Sequence, residues 1–76
     1  MRISEIEVFP RNGSWLVQID GRVMSGAPEY VRAERIARIT AETLCDGGWD
    51  VRLRLLADED AAPVEQTLAA RLRTAA

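Results

Sequence analysis

The chain has no histidine and no lysine, and its single cysteine is Cys45. Without histidine there is no zinc site of the His/Cys kind and no Ser-His-Asp or Cys-His nucleophile, and one thiol cannot build a disulfide framework. Aromatic residues are few: Phe9, Trp15, Tyr30 and Trp49. No apolar run approaches the ~18 residues needed to cross a bilayer, and no basic-then-apolar leader opens the chain, so the expected compartment is cytoplasmic with no membrane partner. The 76 residues predict a single domain, 1–76, able to bury roughly 60% of its unfolded surface. That suffices for a thin core and not for a deep cleft.

What is present is globular in character: 47% hydrophobic and 29% charged residues, with a net charge of −2. An acidic balance argues against a general nucleic-acid binder, which carries a basic excess. All ten basic residues are arginine, beside eleven alanines. Codon bias in a GC-rich bacterial or phage genome accounts for that usage. Selection for planar, bidentate guanidinium contacts is the sharper alternative.

Hydrophobic periodicity orders the chain. Ile3 to Phe9 alternates, with Ile6 and Val8 on one side and Glu5 and Glu7 on the other, which predicts a strand. Pro10 to Gly13 supplies a turn, since Asn-Gly accepts positive φ. Trp15 to Ile19 predicts a second strand with Trp15, Val17 and Ile19 inward. Asp20-Gly21 signals another tight reversal, and Arg22 to Ser25 a short third strand. Pro28 suits a first helical turn, and Tyr30, Ala33, Ile36, Ala37, Thr40, Ala41 and Leu44 then fall on one stripe, predicting a helix over 29–45 that Gly47 ends in the left-handed conformation. Trp49 to Leu55 alternates again, with Trp49, Val51, Leu53 and Leu55 inward and Arg52 and Arg54 outward. Asp58, Glu59 and Asp60 make an acidic loop. Pro63 opens a predicted second helix over 63–74 on the stripe Val64, Leu68, Leu72 and Ala75, with a frayed tail from Arg73 to Ala76.

Connection lengths convert these elements into a topology. Three strands run up, down and up, the helix returns the chain, and a right-handed crossover sets the fourth strand parallel beside the first. The expected fold is α+β: two layers, β-β-β-α-β-α, a four-stranded mixed sheet in the order 3-2-1-4, helices mainly on one face.

Few residues are candidates for chemistry. If strands 1 and 4 are neighbours, Glu5 and Glu7 meet Arg52 and Arg54 on the outer face. They form either a cross-strand charge ladder or an arginine pair that grips phosphate or carboxylate. Asp58, Glu59 and Asp60 form a solvated loop with Asp60 as a helix start, or a surface mimicking phosphates towards a nucleic-acid-binding partner. Three consecutive carboxylates do not match the spaced ligands of a calcium loop. Cys45 lies at a helix end with no histidine to activate it and reads as buried filler. Leu16, Met24 and Leu56 would mark an interface if contiguous. No catalytic, cofactor or metal residue is expected, and the chain is not expected to be an enzyme.

Three resemblances bear on function. The order strand-strand-strand-helix-strand resembles the half-RNase-H-type domain of HicB antitoxins, which neutralise a small RNase toxin. Gly13 to Val17, followed by a helix and Gly48, is similar to small bacterial domains of uncharacterised role with a Gly-Trp-x-Val strand. Pro10 to Ser14, then Val17, Asp20-Gly21 and an alanine-containing helix, resembles some phage-encoded anti-CRISPR proteins, which are small, non-enzymatic blockers of CRISPR surveillance complexes. Each resemblance spans about residues 3–56, and none transfers a functional residue. The expected function is a small non-catalytic protein-binding module, an inhibitor of a nucleic-acid-handling complex of the anti-CRISPR type. Its partner would be another protein or a protein–nucleic acid complex. The alternatives are a HicB-like antitoxin or small nucleic-acid-binding regulator, and a structural homodimer. The expected partner-binding residues are Asp58, Glu59 and Asp60, which lead, with Arg52, Arg54, Glu5 and Glu7.

Overall fold

A computed structural model describes residues 2–71. Its elements are β1 (Ile3–Arg11), β2 (Ser14–Ile19), β3 (Arg22–Ala27), α1 (Tyr30–Asp46), β4 (Asp50–Leu55) and β5 (Val64–Leu68). The fold is α+β: among the described residues, one helix packs on a five-stranded mixed sheet in the order β3-β2-β1-β4-β5. β1 and β4 are parallel and the other neighbours antiparallel. The expected order 3-2-1-4 is present within this larger sheet. No helix among the described residues is long and apolar enough to cross a membrane.

Both tight turns follow from local chemistry. Asn12 and Gly13 have φ of 52° and 80°, and Asp20 and Gly21 have 49° and 85°. Each pair is the two-residue loop of a hairpin, closed by Arg11↔Ser14 and Ile19↔Arg22. Consecutive positive φ values match the right-handed twist of the flanking strands. The first turn is shorter than expected, because β1 runs through Pro10 to Arg11. Leu56 N–H donates to Val8 O, so even-numbered β1 residues point their main-chain groups at β4. At Pro10, β4 has already ended, and the missing N–H forfeits no ladder bond.

The helix starts one residue after the expected boundary, with Glu29 as an uncapped N-terminal flank. Its end differs in a specific way. Gly47 has φ −84°, and the left-handed residue is Gly48 at +93°. Trp49 N–H donates to Leu44 O and Gly48 N–H to Cys45 O, the paired bonds of a Schellman motif that satisfies two terminal carbonyls. Gly47 is the flanking residue, and the residue after it needs the glycine conformation.

The core lies between α1 and one sheet face. Ile6, Val8, Val17, Val51, Leu53 and Leu55 are buried from the sheet, and Ala33, Ala37, Ala41 and Cys45 from the helix. Ile36, Leu44, Ile19, Tyr30 and Trp15 pack partly buried around them. Trp49, expected inward, precedes β4 and is half-buried under the Arg2 guanidinium, 5.5 Å from its ring centroid.

The second helix expected over 63–74 is corrected across residues 64–68, which form β5. Val64 and Leu68 are four apart, a separation that fits a helical stripe and equally a strand of period two. Tertiary pairing decides it: Val64 lies opposite Leu55, Gln66 opposite Leu53 and Leu68 opposite Val51, so β5 covers the edge of β4. Beyond it, Ala70 N–H donates to Asp50 Oδ1 at 2.8 Å, and Arg71 N–H to Cys45 O at 3.0 Å. The rest of that predicted helix, with Leu72 and Ala75, and the tail from Arg73 lie outside the described residues.

Candidate functional site

One helix covers one face of the sheet and leaves the other to solvent. Alternation in β1, β4 and β5 puts Glu5, Glu7, Arg52, Arg54, Glu65 and Thr67 on that open face, where they line a trough of about 380 Å³. The register sets Glu5 beside Arg52, Glu7 beside Arg54, Arg54 beside Glu65 and Arg52 beside Thr67. The four charges expected to share this face do so.

The Glu5–Arg52 pair forms as expected, and the pairing of Arg54 is displaced by one strand. Arg52 Nη1 stands 3.9 Å from Glu5, and Arg54 Nε stands 3.6 Å from Glu65. Arg54 turns outward to β5, and Glu7 has no ion pair among the described residues. Glu65 and Thr67 were hidden from the sequence reading because it assigned them to a helix. Their signal was the alternation Val64, Gln66, Leu68 against Glu65, Thr67. These pairs are solvent-exposed, each worth roughly 0.2–1 kcal/mol, so they orient side chains more than they stabilise the fold.

The acidic segment joins β4 to β5. Asp58, Glu59 and Asp60 are all exposed. Asp58 Oδ1 accepts the Asp60 N–H at 3.4 Å, and Asp58 O accepts Ala61 N–H at 3.1 Å, a local turn of the kind aspartate favours. The helix-start role expected for Asp60 is corrected, since a strand follows. The base of this loop is tied down by Trp15 Nε1, which donates to Ala57 O at 3.0 Å. Trp15 in turn meets Tyr30 edge-on, with ring centroids 6.5 Å apart, so a half-buried aromatic pair anchors the loop. Among the described residues the three loop carboxylates have no ion pair, and no cluster of three potential metal ligands occurs.

The remaining candidates are the apolar residues and the thiol. Met24 and Val23 are exposed on β3. Leu16 lies half-buried over Gly26, where an added Cβ would come within 3.2 Å of its Cδ2. Leu56 follows β4 beside Phe9, and Phe9 lies opposite Leu16, so Leu16 and Leu56 flank Phe9 in one row across the open face, with Met24 on the neighbouring β3. Cys45 is buried, and burial pushes its thiol pKa up, with Arg71 opposing. It is not an activated nucleophile. A second polar cluster was not foreseen: Arg71 reaches Asp46 at 2.8 Å and also bonds Glu42. These contacts raise the Arg71 pKa, the Asp46 bond most. They place a cation on the C-terminal turn of α1, where the helix dipole favours one.

Comparison with protein-family models, with curated proteins and with solved structures finds no match to this chain. The functional reading therefore rests on geometry and charge.

Proposed function

We propose that this chain is a non-catalytic protein-binding module that inhibits a nucleic-acid-handling complex of the anti-CRISPR type, acting in the bacterial cytoplasm. The supporting observation is the uneven charge balance of its surface. On the open face each trough arginine is matched to a glutamate, and Glu7 alone of the trough charges has no ion pair among the described residues. At the rim, Asp58, Glu59 and Asp60 stand exposed and unmatched among the described residues, on a loop anchored by Trp15. Complexes that handle nucleic acid present arginine- and lysine-rich grooves, and an acidic turn anchored at its base is steered into such a groove. The mixed-charge face beside it then sets orientation through Glu5, Glu7, Arg52 and Arg54.

Catalysis does not suit this site. Its carboxylates face an open trough rather than an enclosed pocket that holds a substrate away from water. The element order favours a second reading, a HicB-like antitoxin or regulator. A gel shift with DNA and RNA at ~50 mM salt separates the two, because phosphate contacts give steeply salt-dependent affinity. The inhibitor reading expects no retention of nucleic acid. It also expects purified surveillance complexes to lose target-DNA binding when mixed with the protein, and to regain it when Asp58, Glu59 and Asp60 are changed to Asn, Gln and Asn. Robust retention of nucleic acid by the protein alone supports the regulator instead.

A further inference from the structure

The two edges of the sheet are built differently. β3 is irregular: its register with β2 shifts between Val17 and Gln18, and such a bulge twists an edge away from new partners. β5 keeps an unbroken register with β4 over Val64–Leu68, with no proline or glycine inside it. It has no neighbour on its other side among the described residues.

The hydrogen-bonding direction of β5 follows from β4. Asp50 N–H donates to Arg2 O and Leu56 N–H to Val8 O, so even-numbered β4 residues point at β1 and Val51, Leu53 and Leu55 point at β5. Their partners Leu68, Gln66 and Val64 therefore spend their N–H and C=O groups on β4. The main-chain groups of Glu65 and Thr67 face outward, an open template for another strand.

We infer that the β5 edge pairs antiparallel with β5 of a second copy of this chain, about a twofold axis at Gln66. Two identical strands that share a face can meet only in registers centred on a residue. Centring on Glu65 sets two glutamates directly opposite, which is repulsive. Centring on Thr67 sets Gln66 against Leu68 and runs past the strand end at Leu68, onto the segment tied to Asp50 and Cys45. Centring on Gln66 pairs all five residues. Glu65 then faces the partner's Thr67 as a hydrogen-bonded pair, so the four outward main-chain donors, two per copy, are satisfied. Val64, 52% exposed, faces the partner's Leu68 on the helix side, extending the apolar layer. Glu65 is already drawn towards Arg54, which reduces its charge at the junction. The result is one ten-stranded sheet whose open face is continuous across both copies.

Light scattering over about a hundredfold range of concentration tests this, since dimers form by mass action. The mass of the natural chain should rise towards twice the monomer value. Thr67→Glu places glutamates opposite each other at both ends, while Arg52 beside position 67 keeps the folded monomer comfortable; its mass should stay that of one chain, with an unchanged circular dichroism spectrum. Cysteine crosslinking reads the register independently. Gln66→Cys should crosslink several-fold faster than Val64→Cys, because only position 66 meets itself across the axis. The inference is overturned by a natural chain that stays monomeric throughout, by a folded Thr67→Glu variant that associates equally well, or by Val64→Cys crosslinking as fast as Gln66→Cys.

Discussion

Replacing Asp20 with alanine removes three things at once, and their sizes can be worked out separately. The residue holds φ of 49°, a left-handed conformation that aspartate tolerates and alanine does not, at about 1 kcal/mol. Its carboxylate accepts the Ser4 hydroxyl at 2.9 Å and the Glu5 N–H at 2.8 Å. Losing these bonds costs roughly 1 kcal/mol each. Ser4 is only 1% exposed, so its hydroxyl is stranded without water, adding about 1 kcal/mol more. The expected total of about 3–4 kcal/mol lowers the melting temperature by roughly 15–25 °C in a domain of this size. Urea unfolding followed by fluorescence of Trp15 and Trp49 measures it. Two companions dissect the sum. Asp20→Asn keeps the backbone preference and an acceptor, and should lose about 1 kcal/mol. In a Ser4→Ala background no hydroxyl is stranded, so Asp20→Ala should cost less by about 1–2 kcal/mol. A loss below ~1 kcal/mol for Asp20→Ala in the natural background would refute the claim that this turn anchors the start of β1.

Adjacent glycines at the helix end should respond oppositely. Gly48→Ala, at φ +93° with no steric neighbour within 4 Å, should destabilise by about 1 kcal/mol through backbone strain alone; Gly47→Ala, at φ −84°, should be nearly neutral in the same thermal melt. Burial raises the Cys45 pKa in the folded chain, so the unfolded chain ionises first as pH rises. Stability should therefore hold below the ordinary thiol range and fall above it, and Ellman's reagent should label Cys45 at the rate of unfolding. Arg71→Ala should leave the global melt little changed while hydrogen exchange speeds up at Ala70 and at position 71, because it releases Glu42 and Asp46 without touching the core. Unaltered exchange there would show that the main-chain bonds hold that segment by themselves.

The features legible in the sequence are those whose cause is local. Asn12-Gly13 and Asp20-Gly21 encode positive φ at two consecutive positions, and few other backbone arrangements accept that. The stripe from Tyr30 to Leu44 is long enough to have only one period, and in Val51 to Leu55 the apolar Leu53 at the middle position fits alternation and not a helical stripe. The fifth strand was illegible because Val64 and Leu68 satisfy two periods at once, and only the vacant edge of β4 chooses between them. That one ambiguity hid Glu65, and with it the true partner of Arg54. The side-chain roles of Asp20 and Arg71 were invisible for a related reason: each reaches across at least 15 residues of chain, a contact that no sequence window contains.

The buried seam of α1 has a consequence for how the helix is positioned along the sheet. Ala33, Ala37 and Ala41 repeat every four residues, and a seam of identical small side chains looks nearly the same after sliding by one repeat, about 6 Å. Smooth packing of this kind lets the helix come close and gives it little reason to stop at one place. Two of the stops are at its ends. Tyr30 abuts Trp15 at the first turn, and at the last turn Gly48, Trp49 and Arg71 fasten the terminal carbonyls and Asp46. The axial setting of the helix is thus decided by these terminal contacts together with Ile36 and Leu44, the larger side chains packed against the core beside the seam.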